Sequence, residues 1–432
     1  MGPGEQQRTT SRGSEPELDT LARLARLARE DRQWERRMRR RRSAIGAGVV
    51  TGLAALTAVV AVTVNRQDSD PVTAPDSSVT ASVDGSASAL PRASAGGGMP
   101  SAASPSASAT TSAGASAPTS KARAMYGKPR SGLPWHSGFW TGGKVGTALT
   151  ERAGTWRGAP MDFATVYPAY GTWEEIRTSS WAVTDFARFK GRLAYGLPLL
   201  PKNRKGHWED ILDGSHDEVF RTIARHLVAS GHEDAAIRMG VEANGYWFPW
   251  AVEVGTVDEY KAAFRRIHKI MSAVSPEFTF WMDINCGTVL TGSRDRLAPL
   301  YQMYPGNDVV DGLSMDHYNR YKLLAKDDAT WRRAIAPSWA PGFQDGIAFA
   351  RAHGIGFAVP EWGLDGVQGP GDSPYFMERM WQLFVDSSDV LVFENYFSEA
   401  DAYIKGDLFQ TSQNPRSAAY YRERWGSGAG QG

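Results

Sequence analysis

R-M-G-V-E-A-N-G-Y-W-F-P-W, residues Arg238 to Trp250, follows directly on Ala235, Ala236 and Ile237. A run of small and aliphatic residues ends in one carboxylate (Glu242), one amide (Asn244), a glycine and four aromatic rings. A short apolar run bounded by turn residues reads as a strand buried on both faces. A carboxylate is rarely buried without a partner, and four rings are costly to leave bare. Both oddities are accounted for if the strand end opens into a pocket whose ligand has flat apolar faces and many hydroxyls, as a sugar does.

Working outward, seven further runs of the same kind appear: 136–140, 161–167, 193–200, 278–284, 310–315, 356–360 and 390–393, with 235–241 as the fourth in order. Amphipathic stretches with helical spacing lie between most of them, such as 219–228, 260–271, 343–352 and 375–385. Strands that are nearly all apolar, alternating with helices, predict a parallel sheet covered on its faces. Eight units in about 300 residues fit an α/β fold, a closed (β/α)8 TIM barrel. A doubly wound open sheet is the alternative, but it carries an early glycine-rich phosphate turn, and no such turn is present.

The active site of such a barrel gathers at the C-terminal ends of its strands. The fourth strand ends at Glu242 and Asn244, the fifth at Asp283 and Asn285, and the sixth at Asp316, His317 and Tyr318. The seventh ends at Glu361 and Trp362, and the eighth at Glu394, Asn395 and Tyr396. Glu242 and Glu361 are then expected to face one another across the mouth, as the paired carboxylates of glycoside hydrolysis do. Trp247, Phe248, Trp250 and Trp362 are expected to stack on sugar faces, with Asn244, Asp316, His317 and Asn395 as polar groups around them. Asp283, Asn285, Asp316 and His317 also read as support for the catalytic pair. His207, His216, His226 and His232 show no metal-ligand spacing, so neither a metal nor a cofactor is expected. The single cysteine, Cys286, excludes an intramolecular disulfide and reads as a small buried hydrophobe.

The remainder of the 432 residues has a different character. Residues 1–42 carry twelve arginines against seven acids, ending in a run from Arg36 to Arg42 broken by Met38. Residues 43–64 hold no charge, about 33 Å of helix at about 1.5 Å per residue, enough for a bilayer core. The arginines beside it place the N-terminus in the cytoplasm and the rest outside. A cleaved signal peptide competes with this reading, but its apolar stretch would be shorter. Residues 65–122 are Ser, Ala, Thr, Gly and Pro, unable to bury a core, and read as a disordered tether of about 40–45 Å. The globular domain is expected over 123–427. With a net charge of +1, no global field favours nucleic acid.

From about Met125 to Trp425 the chain resembles glycoside hydrolase family 26, which includes endo-β-mannanases and relatives acting on mixed-linkage glucans and xylans. The resemblance rests on M-D-F-A-T-V-Y-P-A-Y-G-T-W (161–173), G-L-P-L-L-P-K-N (196–203), the Arg238–Trp250 stretch, Y-P-G-N-D-V-V-D-G-L-S-M-D-H-Y (304–318) and P-E-W-G (360–363). It implies a (β/α)8 barrel working with retention. Glu242 would be the acid/base, Glu361 the nucleophile, Tyr318 its hydrogen-bond partner and Trp247 a wall of the sugar site. One residue departs from the pattern. Mannanases of the family often carry His immediately before the acid/base, whereas this chain has Val241, which has no hydrogen bond to give to a sugar hydroxyl.

Taken together, the sequence predicts a single-pass, membrane-anchored retaining glycosidase acting outside the cytoplasm on a β-linked polysaccharide, mannan or a related β-glycan. A glycan-remodelling transglycosylase beside envelope polysaccharide-synthesis machinery, and a carbohydrate-binding barrel without turnover, are the alternatives.

Overall fold

The computed structural model describes residues 124–426 apart from 125, 143–145 and 412. The basic segment 1–42, the apolar span 43–64 and the tether 65–122 lie outside the described residues. Among the described residues no helix is long and apolar enough to cross a membrane.

Eight parallel strands close on themselves in sequence order, β1 pairing with β2 on one side and β8 on the other. They are β1 His136–Trp140, β2 Phe163–Val166, β3 Arg192–Leu197, β4 Ala236–Met239, β5 Thr279–Asn285, β6 Gly312–Asn319, β7 Gly356–Leu364 and β8 Leu391–Phe397. Each lies within or across one of the eight apolar runs. Among the described residues seven helices have eight residues or more: α1 Thr147–Arg157, α2 Asp217–Ala229, α3 Val257–Ser272, α4 Asp328–Ile335, α5 Phe343–His353, α6 Pro374–Asp386 and α7 Pro415–Trp425. The β5–β6 connection departs from the regular alternation, with only a one-turn helix at Ala298–Tyr301. Local signals set several helix ends. Asp327 accepts from Thr330 N to cap α4, and Ser373 accepts from Phe376 N ahead of Pro374 at the start of α6. Gly354 stops α5 in the left-handed region that glycine enters without steric cost.

Two cores follow from the period of two along each strand. Toward the helices, Ile237, Met239, Phe280, Met282, Leu313 and Met315 join the large outer core. Inside the barrel, Ala194, Ala236 and Ala358 leave room for Trp281 and for Phe163 stacked on Phe393 at 4.4 Å. The same need for space explains Gly312, where a Cβ would sit 2.1 Å from the Trp281 ring. Tyr126 enters this inner cluster and hydrogen-bonds Thr279, so the chain leading into the barrel contributes to its filling.

The seventh strand is irregular. Ser314 and His317 of β6 pair with Ala358 and Trp362, and Glu394 and Tyr396 of β8 pair with Val359 and Trp362. Between Val359 and Trp362, β7 therefore carries one residue more than either neighbour, a bulge containing Pro360 and Glu361. Proline has no N–H to give a ladder and is at home in a bulge.

Candidate active site

On β4, β5 and β6 the inward positions continue above the apolar layer as Arg238, Asp283, Ser314 and Asp316. Arg238 is fully buried and donates to Asp283 Oδ2 at 2.7 Å, to Asp316 Oδ2 at 2.5 Å and to the Tyr167 hydroxyl at 3.1 Å. Burial works against its charge, but the two aspartates override it and hold the guanidinium well above its ordinary range. Asp283 also accepts from Ser314 Oγ at 2.5 Å and, through Oδ1, from the backbone N–H of Glu242 at 2.7 Å. The floor of the barrel mouth is thus a charged network that fixes the turn after β4.

That turn presents Glu242. β4 stops at Met239, three residues before the glutamate, rather than at Glu242 itself. Glu242 has φ 49°, the left-handed region that costs a non-glycine residue about 1–2 kcal/mol. Its carboxylate is buried and accepts from Trp247 Nε1 at 2.7 Å and from Asn285 Nδ2 at 2.6 Å. Burial, and then the charge of Glu361, push its carboxyl up to about 7 against the bonds from Asn285 and Trp247 and the nearby Arg320. Gly245 is required because the Trp247 ring folds back over it, 2.3 Å from where a Cβ would stand.

Glu361 comes from the bulge of β7. Simple alternation from Ala358, which faces the interior, would send Glu361 outward; the extra residue reverses this. Both of its oxygens accept from phenols: Oε1 from Tyr318 at 2.6 Å and Oε2 from Tyr167. Burial, followed by the charge of Glu361, holds both phenols well above their ordinary range, so they remain protonated donors. Glu242, Asp316 and Glu361 each bring a carboxylate oxygen to within 4.8 Å of the others. Among the described residues this is the one group of three or more acids, histidines or cysteines close enough to share a cation, and Arg238 already supplies a buried positive charge to Asp316.

The remaining sequence candidates divide. Phe248 and Trp250 stack on each other at 4.7 Å and line a cleft that also contains Glu242 and Glu361. Trp247 stands half-buried beside Glu242. Asp316 is at the floor, buried and bonded to Arg238. Asn244 is a tie rather than an open contact, spending its amide on Asn285 N, Asn285 O and Thr288 O. Asn395 is buried and bonded to Thr165 Oγ1 at 2.7 Å.

Two expectations are corrected. Trp362 is fully buried on the helix side, against Phe376, Phe384 and Trp425, and donates to Glu394 at 2.6 Å. His317 also faces outward, between Phe343 and Phe376, and burial pushes its imidazole down to about 3. Neither offers a face to a ligand, because each lies one position out of phase with an inward residue. Tyr167 is the residue that sequence reasoning missed. It lies inside the 161–173 motif, but a tyrosine at the end of an apolar strand is indistinguishable from wall until the barrel closes.

The chain matches no family model. Among solved structures it is similar to an endo-β-1,4-mannanase double mutant of Cellulomonas fimi, with TM-score 0.52 and 16% identity over 72% of this chain and 76% of that one. A GH26 β-mannanase of Bacteroides ovatus aligns with TM-score 0.48 and 14% identity, over 67% of this chain and 87% of the other. In sequence, 121 residues are 36% identical to Endoglucanase H of Acetivibrio thermocellus, 26% of this chain and 13% of that protein's length. At these identities the structural likeness is one of fold: an eight-stranded parallel barrel.

Proposed function

We propose that the protein is a retaining glycoside hydrolase that cleaves a β-linked polysaccharide with Glu242 and Glu361. The observation that carries this is their separation. One oxygen of each carboxylate lies within 4.8 Å of the other, close enough for the roughly 5–5.5 Å separation of retaining enzymes. The Cellulomonas fimi mannanase and the endoglucanase among the similar proteins support a β-glycan as substrate.

In this reading a Glu361 oxygen attacks the anomeric carbon while the glycosidic C–O bond breaks, and the departing oxygen takes the proton of Glu242. A carboxyl raised to about 7 still holds that proton near neutrality. The two phenols fix the nucleophile's plane, and Trp247 and Asn285 fix the acid. Glu242, now ionised, then takes a proton from water as the water oxygen attacks the glycosyl–Glu361 ester, and Glu361 leaves as carboxylate.

The test uses the full chain and two substrates, a β-glycan and a dinitrophenyl glycoside of the same sugar. Glu361→Ala is expected to lose turnover on both. Glu242→Ala is expected to lose about 10²–10⁴-fold on the glycan, whose leaving group needs the proton, and far less on the aryl glycoside. Equal losses on both substrates for Glu242→Ala would rule out the acid role.

Placement is part of the proposal. The Arg36–Arg42 cluster followed by the uncharged 43–64 supports an anchor with the barrel outside the cytoplasm. Protease added to intact cells stripped of outer layers is then expected to release the barrel by cutting within 65–122; a fully protected barrel would reverse the orientation.

A further inference from the structure

The cleft beside Glu242 and Glu361 has an uneven lining. On the β2–β4 side it consists of Pro168, Tyr170, Pro198, Val241, Phe248 and Trp250. This wall is nearly all carbon, with two polar side-chain atoms, of which one is engaged. Trp250 Nε1 donates to the Val241 carbonyl at 2.9 Å, and the adjoining Tyr167 hydroxyl serves Glu361. The other of the two is the Tyr170 hydroxyl. Tyr170 is 3% exposed, its ring meets Phe248 and Trp250 edge-on, and its hydroxyl has no hydrogen-bond partner. The wall is also tight: at Gly196 an added Cβ would come 2.9 Å from Val241 Cγ2 and 3.1 Å from the Tyr167 ring.

A buried phenol without a partner costs stability, and such groups in native proteins call for a reason. Three kinds of substituent on a bound sugar can be weighed against this wall. A hydroxyl would leave water, where it has several partners, for a surface that offers one. A bare methyl would suit the carbon wall but leave the phenol unpaired. An acetyl group satisfies both, with a methyl for the wall and a carbonyl oxygen to accept from the phenol.

We propose that this wall selects an acetylated sugar, with the acetyl methyl packed on Val241 and Pro198 and its carbonyl oxygen bonded to the Tyr170 hydroxyl. The proposal rests on the glycosidase reading for the position of the sugar between the two glutamates. The shared chemistry is the acetyl group; it can arrive as an O-acetyl ester on a hemicellulose or as an N-acetyl amide on an amino sugar.

The experiment measures binding, so that it stands apart from turnover. In the full chain carrying Glu361→Ala, dissociation constants are read by tryptophan fluorescence in two arms. One compares acetylated with alkali-deacetylated manno- and xylo-oligosaccharides. The other compares N-acetylchitohexaose with chitohexaose. In one arm the acetylated ligand is expected to bind at least about 10-fold more tightly. Tyr170→Phe is expected to cut that preference about 3–10-fold, the worth of one hydrogen bond. Because the hydroxyl has no partner in the protein, Tyr170→Phe is also expected to leave Tm unchanged or raise it, so a lost preference is not a lost fold. Equal binding of acetylated and deacetylated ligands in both arms, no binding in either, or an unchanged preference in Tyr170→Phe would each overturn the proposal. Acetyl-selective binding without turnover by the unsubstituted chain would sink the hydrolase reading alone; turnover without acetyl preference would sink this inference alone.

Discussion

Glu242 combines two unfavourable states, a left-handed backbone and a buried carboxyl beside a second acid. Glu242→Gly removes both, and is expected to stabilise the fold by about 1–2 kcal/mol while losing activity on polysaccharide. The gain should depend on pH in a defined direction. With a folded pKa of about 7 against an ordinary 4.5, Glu242 takes up a proton on folding between those values, so its penalty is absent below 4.5 and complete above 7. Urea midpoints at pH 4.5 and pH 8 check this; a larger gain at pH 4.5 would contradict the sign. At this scale much of the site was legible. A lone acid and amide after an apolar run, and P-E-W-G at another strand end, single out both glutamates. The phenols were half legible: Tyr318 lies in a cluster of polar residues, whereas Tyr167 follows Val166 with no polar neighbour to mark it.

Among elements, β7 shows where pattern reading stops. Strand periodicity places Asp316 and Tyr318 inward and His317 outward on β6, so the error over His317 could have been avoided from the sequence alone. The same rule applied to β7 gives the wrong answer, because the bulge reverses the phase between Val359 and Trp362. A bulge is set by how two neighbouring strands pair, and nothing local in G-F-A-V-P-E-W-G-L beyond its proline announces it. The inner layer gives a test at this scale. Gly312→Ala drives a methyl into the Trp281 ring, which is enclosed by Phe393 and three alanines. A cost of about 1–3 kcal/mol is expected by denaturant unfolding. A change below about 0.5 kcal/mol would mean that the inner layer is loosely packed.

For the whole molecule, the apolar runs predicted a parallel sheet covered on both faces, and their number, with the absence of a glycine-rich phosphate turn, favoured closure. The helical layer was less legible between β5 and β6, where one turn replaces a helix. Charge acts across the fold too. Besides Glu242, burial pushes Glu394, held by Trp362 and Trp425, and Glu399, beside Trp140, up to about 7. Each binds its proton more tightly folded than unfolded, so these three groups cost stability increasingly as pH rises from about 4.5 through 7, and together they outweigh buried His317, which is held down to about 3 and costs stability below its ordinary 6.5. Thermal unfolding is expected to show a higher Tm at pH 5 than at pH 8; the reverse order would show that the groups titrate otherwise.

Closure also has a consequence for how the chain is made. β1 finds one of its two partners, β2, soon after it is synthesised, but its other edge waits for β8. The seam is locked later still, when buried Arg157 at the end of α1 meets Tyr421 of α7, 264 positions further along. Until β8 arrives the nascent barrel has two open strand edges, and such edges recruit other chains. Contacts this distant in sequence also make folding slow. Closure of the barrel is therefore tied to arrival of the last strand, and a chain that stops short of it would be prone to pair with its neighbours.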